Sequence, residues 1–255
     1  MNDLKLHMIA CGLAALAGTG ASAGTDRPTV VELFTSQGCS SCPPAEALLG
    51  ELAKRPDVLA LAFHVDYWDY TGWRDGFELP IATQRQARYV KQLGLPMMAT
   101  PQMIIDGRGE ILGTNRDRLA SILAVPRAAI PIHLAHVDDS LVVSIDAASG
   151  VPNSEVLLIG YRLEASTAVG AGENRGRLLK EFNIVRSYQS LGVWRGAPAT
   201  WRIALKELPM DASRVAVLVQ RSSQREFVGA ASLAVRDIAD PDSLPSNGSP
   251  GGTGP

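Results

Sequence analysis

The sequence is poor in cysteine and in aromatic residues, and it has no excess of basic residues. Three cysteines occur among 255 residues, and aromatic side chains make up 5% of the chain. Lysine and arginine together number 24 against 26 acidic residues, which gives a formal net charge of −2. Without a dense basic run, nucleic acid and anionic membrane surfaces are poor candidates for partners. So few cysteines also exclude a small fold held together by several disulfides.

Long apolar runs are missing beyond the N-terminal region. No later segment approaches the roughly 18 apolar residues that a membrane-spanning helix requires. The hydrophobic content of 46% nevertheless suffices for one large core or two modest ones. We therefore expect a globular protein without a membrane span.

The N-terminal segment has the features of an export signal. Lys5 precedes an apolar run, and residues 21–23 (Ala-Ser-Ala) provide the pattern of small residues that signal peptidase needs. We predict that residues 1–23 are a signal peptide, cleaved after Ala23, and that the protein is periplasmic or secreted. An ordinary N-terminal helix and a lipid attachment at Cys11 are the alternatives.

Residues 25–128 alternate between strand and helix patterns. Strands are predicted at 29–35, 57–66, 101–107 and 109–113, and helices at 45–52, 80–94 and 116–123. The order is β-α-β-α-β-β-α. Its strand-helix-strand crossovers imply a parallel pair of strands covered by helices.

Residues 131–236 have a different pattern. They contain short, often alternating apolar runs, separated by turn signals at roughly the spacing of a β-sandwich. We predict an α/β N-terminal domain followed by an all-β, sandwich-like C-terminal domain. The Gly-rich segment 170–177 predicts a hairpin connection or a polar loop that reaches the neighbouring domain. Residues 237–255 are too poor in apolar groups to fold and are predicted to be a disordered tail.

The segment FTSQGCSSCPPAE, residues 34–46, sets two cysteines three positions apart before a predicted helix. Cys39 is expected at the N-terminal end of that helix, where unpaired N–H groups and the helix dipole favour a thiolate. Cys42, one turn later, is close enough to resolve a mixed disulfide. The pattern predicts a redox pair in which Cys39 is the nucleophile. The disulfide would be the reactive group, without an organic cofactor.

Other uses of the cysteine pair stay open at this point. Oxidants outside the cytoplasm can turn any close pair into a passive bridge. Structural zinc needs four ligands, and the sequence offers no second C-x-x-C and no H-x-x-x-H. Copper needs fewer ligands, so Cys39, Cys42 and His64 could form a three-coordinate soft site.

A proline is expected opposite the cysteines. The loops that follow two parallel strands lie at the same edge of the sheet. Thr100-Pro101 begins the next predicted strand, where a proline is tolerated if it forms a turn, expected with a cis bond, that faces the cysteines.

The segment 99–123, ATPQMIIDGRGEILGTNRDRLASIL, resembles the second half of a glutaredoxin. Together with VELFTSQGCSSCPPAE and FHVDYWDYTGW, it makes the chain similar to an uncharacterised family of secreted thioredoxin-like proteins that have a β-rich C-terminal domain. The resemblance implies a thioredoxin-like N-terminal domain. It implies Cys39 as the nucleophilic and Cys42 as the resolving cysteine, with Thr100-Pro101 docking the substrate backbone.

Two departures from the thioredoxin pattern bear on the site. Gly38 precedes the first cysteine, where thioredoxins have a tryptophan. Glu32 lies near the position of the buried acid of thioredoxins but one residue further from the cysteine. We expect Glu32 either to accept the proton of Cys42 or to be a carboxylate that escapes to the sheet edge or pairs with a cation.

An insertion rich in aromatic and acidic residues follows the second strand. In YWDYTGWRDGFEL, Tyr67 and Trp68 are the first aromatic residues and should overhang the cysteine edge. They are candidates for binding the substrate by stacking and hydrogen bonding. The alternative is a long loop whose aromatic residues pack on their own domain.

Three functional hypotheses result. The first is an exported thiol-disulfide oxidoreductase that acts on a protein or small-molecule thiol or disulfide. The second is a copper chaperone or sensor that uses Cys39, Cys42 and His64. The third is a non-catalytic binding module in which the bridge is idle. The sequence does not decide between oxidase and reductase.

Overall fold

The computed structural model describes residues 27–112, 114–223 and 226–235. Within these ranges the chain has a mixed α/β fold. The strands are β1 (Thr29–Thr35), β2 (Val58–His64), β3 (Gln102–Ile105), β4 (Gly109–Leu112), β5 (Ile132–Val137), β6 (Ser140–Ile145), β7 (Ser154–Ala168), β8 (Leu178–Trp194), β9 (Ala199–Ala204), β10 (Arg214–Arg221) and β11 (Phe227–Ala234). The α-helices are α1 (Pro43–Leu52), α2 (Pro80–Leu93) and α3 (Arg116–Leu123).

The predicted signal peptide 1–23 and the predicted tail 237–255 lie outside the described residues. In the part of the chain that the structure describes, no helix combines the length and the apolar character needed to cross a membrane.

Eight strands form one sheet, in the order β11-β10-β7-β8-β2-β1-β3-β4. β1 and β2 run parallel, in register from Thr29 opposite Val58 to Thr35 opposite His64. This agrees with the crossover expected from the sequence. β3 runs antiparallel to β1, and β4 runs antiparallel to β3.

The strands of residues 131–236 do not form a self-contained sandwich, which differs from the expectation above. β8 lies parallel to β2, with Ala62 opposite Ile184, so β7, β8, β10 and β11 continue the sheet that β1 begins. β5, β6 and β9 form a second sheet. Alternating apolar runs identify strands but carry no information on which strand pairs with which. The predicted domain boundary stays a prediction. The large sheet contains strands from both sides of it.

The two faces of β1 contact different helices. Val31 and Leu33 point to the side that is covered by α1, where they join an apolar cluster with Leu49. Val30 and Phe34 point to the opposite side, in the cluster that includes residues of α2. The alternation along a strand therefore separates the α1 side from the α2 side of the sheet.

Glu32 lies on the α2 side, fully buried and paired with Arg85 of α2. Arg85 Nε donates to Glu32 Oε1 at 2.6 Å, and the Tyr89 hydroxyl donates to Oε2 at 2.5 Å. Burial by itself would lower the pKa of Arg85, but the charge of Glu32 raises it above its ordinary value. Arg85 therefore stays charged inside the core.

Arg85 also joins the two halves of the large sheet. Its Nη1 donates to the hydroxyl of Tyr188 on β8 at 3.0 Å and to Oε1 of Gln220 on β10 at 3.2 Å. The guanidinium lies 5.9 Å from the ring centroid of Phe227 on β11. One side chain of α2 thus contacts strands from both predicted domains.

We expect Arg85→Met to lower the free energy of unfolding by about 3–5 kcal/mol, because it leaves the Glu32 carboxylate buried without its cation. Urea denaturation followed by circular dichroism measures this change. Arg116→Met is the matched control, since Arg116 pairs with Glu51 on the exposed surface and should change little. The double variant Glu32→Met/Arg85→Met should recover much of the loss, and equal stability of Arg85→Met and the control would contradict the assignment.

Candidate functional site

Cys39 and Cys42 form a disulfide at the start of α1, with their Cα atoms 5.4 Å apart. Cys42 is the N-cap residue of the helix, and Pro43 occupies its first turn, where a missing N–H is tolerated. The relative exposure of Cys39 is 0% and that of Cys42 is 1%, whereas Ser40 and Ser41 between them are exposed. The pair therefore lies just beneath the surface in its oxidised state.

The connection between β7 and β8, residues 169–177, covers the cysteine loop and is called the cap loop below. Nδ2 of Asn174, itself buried, donates to the carbonyl oxygens of Gln37 and Cys39, each at 2.9 Å. Glu173 accepts hydrogen bonds from the backbone nitrogen of Ser40 at 3.0 Å and from its hydroxyl at 2.7 Å. The cap loop thus binds the N-terminal side of the tight turn that contains the disulfide.

Thr100-Pro101 lies beside the cysteine loop, as the sequence analysis expects, and its peptide bond is cis. The Ser41 hydroxyl lies 3.4 Å from Sγ of Cys39 and 3.5 Å from the carbonyl oxygen of Thr100, to which it donates. The structure therefore brings together the cysteines and the threonine that the sequence assigns to one site.

The aromatic insertion both packs on the core and reaches the site. Tyr67 and Trp68 are partly buried and contact the apolar cluster on the α2 side of the sheet. Nε1 of Trp68 donates to Oγ1 of Thr100 at 2.8 Å, and its ring stacks on the exposed ring of Tyr70. Trp68 thus anchors Thr100 and also forms the wall next to it.

The structure does not place Glu32 next to the cysteines. Its side chain lies on the α2 side of the sheet, whereas α1, which begins after Cys42, packs against the other side. The expectation that Glu32 accepts the proton of Cys42 is therefore corrected. Side chains alternate along β1, and that of Glu32 points to the face opposite α1. Its alternative role, a carboxylate paired with a cation, matches the contact with Arg85.

His64 contacts an acidic side chain rather than the cysteines, and the copper site stays a prediction. The histidine is buried, and its Nδ1 lies 2.7 Å from Oδ2 of Asp75. Both sulfur atoms are bonded to each other. Within residues 27–112, 114–223 and 226–235, no group of three or more histidine, cysteine, aspartate or glutamate residues is arranged to hold a metal ion. The arrangement favours a hydrogen-bonded His-Asp pair over a ligand set.

A cluster of buried titratable groups surrounds His64. Glu46, on α1, has Oε1 3.9 Å from Nε2 of His64. Burial raises the pKa of Glu46 to about 7, against the opposing effects of the His64 charge and the Thr35 hydroxyl. Burial would lower the pKa of His64, but Asp75 and then Glu46 raise it to about 9. At neutral pH, His64 therefore carries a proton on both ring nitrogens.

The remaining members of the cluster also have shifted pKa values. Burial would raise the pKa of Asp75, but the charge of His64 and its hydrogen bond lower it. Burial raises the pKa of Glu181, whose carboxylate accepts a hydrogen bond from Nε2 of Gln37 at 2.9 Å. The cluster is thereby connected to the backbone segment that leads to the disulfide.

Sequence reasoning gave no role to Glu46, Glu181 or Asn174. A signal was available for Glu46, because it follows Cys42 by four residues and so lies on the same face of the helix. For Asn174 the sequence offered only the Gly-rich segment 170–177, expected as a hairpin connection or as a polar loop that reaches the neighbouring domain, and it did not name the partner Cys39, 135 residues away.

We expect Asn174→Ala to increase the rate at which dithiothreitol reduces the disulfide by about thirtyfold, because two hydrogen bonds, each contributing about 1 kcal/mol, are lost from the cap loop. Thiol labelling followed by mass spectrometry measures the rate. Arg175→Ala, an exposed neighbour in the same loop, is the matched control. Equal rates in the two variants would show that the cap loop does not limit access.

The raised pKa of His64 predicts a pH dependence of stability. The stabilisation that it contributes is fully present below the ordinary pKa of 6.5 and is lost as the pH rises through about 9. We expect the free energy of unfolding to fall across this interval, and we expect Asp75→Asn to make the fall smaller. Urea denaturation at a series of pH values measures both. An unchanged slope in the variant would contradict the role of Asp75.

Comparisons with known proteins place the chain in a family. No curated protein matches the sequence significantly. The crystal structure of a structural-genomics target from Agrobacterium tumefaciens is similar, with 29% sequence identity and a TM-score of 0.72 over 85% of this chain and 98% of that one. The model of a family described as protein of unknown function (DUF1223) matches residues 30–220. The chain therefore belongs to the DUF1223 family.

Proposed function

We propose that the protein is an exported thiol-disulfide oxidoreductase whose N-terminal half is thioredoxin-like. The observation that carries the proposal is the disulfide between Cys39 and Cys42 at the start of α1, next to Thr100. A sulfur at a helix N-terminus is stabilised as a thiolate by unpaired N–H groups and by the helix dipole. The strand order β2-β1-β3-β4, with β1 and β2 parallel, supports the proposed resemblance.

The proposed reaction uses two exchange steps. In the reduced protein, the Cys39 thiolate attacks a substrate disulfide, and one substrate sulfur leaves as a thiol. Cys42 then attacks Sγ of Cys39, the second substrate sulfur leaves, and the protein disulfide forms again. Two electrons pass from the protein to the substrate, and the reverse sequence oxidises a substrate dithiol. Partners are accordingly proteins or small molecules that carry a thiol or a disulfide.

The burial of both sulfur atoms fits a reaction in which access depends on a local opening. The exposed Ser40 and Ser41 are held by Glu173 and by Thr100, and the carbonyl of Cys39 is held by Asn174. Release of these contacts would expose the pair without unfolding the helix behind it.

We expect Cys39→Ser to reduce the rate of insulin reduction by dithiothreitol to that of dithiothreitol alone, because the attacking sulfur is removed. Turbidity of the precipitating insulin chain measures the rate. Ser222→Ala is the control, since Ser222 is exposed in the connection between β10 and β11 and should leave the rate unchanged. If Cys39→Ser and the control accelerate insulin reduction equally, the proposal is wrong, and a binding module with an idle bridge is favoured.

A further inference from the structure

The cap loop places a carboxylate directly beside the proposed nucleophile. Oε2 of Glu173 accepts hydrogen bonds from the backbone nitrogen of Ser40 at 3.0 Å and from its hydroxyl at 2.7 Å. Ser40 follows Cys39 and lies inside the turn that is closed by the backbone nitrogen of Cys42, which donates to the carbonyl of Cys39 at 3.2 Å. Ser40 thus presents two donors to the outside of this turn, and one carboxylate oxygen accepts from both.

The contact between Glu173 and Ser40 is charged and accessible to solvent. The hydrogen bonds from the Ser40 hydroxyl and nitrogen lower the pKa of Glu173 below its ordinary value, so the side chain is a carboxylate at neutral pH. Both residues are exposed. Exposed side chains change rotamer rapidly, so rotation of Glu173 alone is enough to free the two donors of Ser40 for another carboxylate.

The backbone of the cap loop is held by hydrogen bonds of its own. The nitrogen of Gly176 donates to the carbonyl of Val169 at 2.8 Å, and the nitrogen of Arg177 donates to the carbonyl of Asn174 at 3.0 Å. Nδ2 of Asn174 adds the two bonds to the cysteine loop described above. The cap loop therefore keeps its shape when the side chain of Glu173 is displaced.

We propose that Glu173 occupies the binding position of a substrate carboxylate, and that the preferred substrates are thiols or disulfides with an acidic group close to the sulfur. This inference rests on the proposed thiol-disulfide exchange and names its substrate class. The incoming carboxylate replaces Glu173 at the nitrogen and hydroxyl of Ser40. Because Cα atoms of adjacent residues lie about 3.8 Å apart, a carboxylate bound at Ser40 positions a sulfur only a few bonds away for attack by Cys39.

Displacement of Glu173 also assists access to the buried sulfur atoms. Glu173 and Asn174 together make four hydrogen bonds to residues 37–40, and the substrate carboxylate removes the two that involve Glu173. Fewer contacts then hold the cap loop over the disulfide, so local opening requires less free energy. Glu173 thus acts as a competitor that an acidic substrate displaces.

The test follows oxidation of the reduced full-length protein by three symmetrical disulfides. These are 3,3′-dithiodipropionate, a dianion, bis(2-hydroxyethyl) disulfide, which is neutral, and cystamine, a dication. In each reaction the two protein thiols become the protein disulfide, and the small disulfide becomes two thiols. Thiol labelling followed by mass spectrometry measures the rates. Each rate is divided by that of the same protein unfolded in urea, which removes differences in intrinsic reactivity.

We expect the normalised rate of the dianion to exceed that of the neutral disulfide by about threefold in wild type, because only the dianion forms charge-assisted hydrogen bonds with Ser40. The formal net charge of −2 does not by itself favour an anion. Glu173→Gln weakens the competing acceptor and should raise this preference to about tenfold. Glu207→Gln, the same change at an exposed position between β9 and β10, is the matched control and should leave the preference unchanged.

Ser40→Ala separates binding at Ser40 from the general effect of removing a negative charge. It removes the hydroxyl donor without a change of charge, so the preference for the dianion should fall both in wild type and in Glu173→Gln. An unchanged preference in Ser40→Ala, or equal normalised rates of the three disulfides with wild type, would overturn this inference and leave the exchange reaction standing. If none of the three disulfides oxidises the reduced protein, the proposed exchange and this inference are both wrong.

Discussion

The buried contact between Arg85 and Glu32 is the interaction on which the arrangement of the sheet depends. An ion pair inside a core is stable only when the remaining polar atoms are also satisfied, and here Tyr89, Tyr188 and Gln220 complete the set. These partners come from α2, β8 and β10, whereas Glu32 lies on β1. Because an unpaired charge in this place would be costly, the contact specifies how the two halves of the sheet meet.

The pairing of β2 with β8, where the two halves of the sheet meet, has a direct consequence for the disulfide. β8 runs beside β2 and is preceded by the cap loop, so fixing β8 in the sheet also fixes Asn174 above the cysteine loop. The strands that follow residue 131 therefore do more than cover apolar surface. They supply the groups that bury Cys39 and Cys42, and they supply one wall of a cavity beside Cys42.

The polar cluster around His64 lies close to this pairing of β2 with β8. Glu46 comes from α1, His64 from β2, Asp75 from the insertion and Glu181 from β8. Each is buried, and the charge of each shifts the pKa of its neighbours. The disulfide, the cap loop and this cluster of titratable groups lie next to one another.

The local features of this protein were readable from the sequence, as were the parallel pairing of β1 with β2 and the position of Thr100 beside the cysteines, but most long-range contacts were not. The strand 29–35, the helix that ends at Gly94, and the position of Cys39 and Cys42 at a helix start follow from apolar spacing, prolines and a glycine cap over a few residues. The partner of Glu32, the pairing of β8 with β2 and the contact of Asn174 with Cys39 depend on segments 53 to 135 residues apart. Periodicity states which face of a strand or helix is buried, but only tertiary packing decides what that face meets.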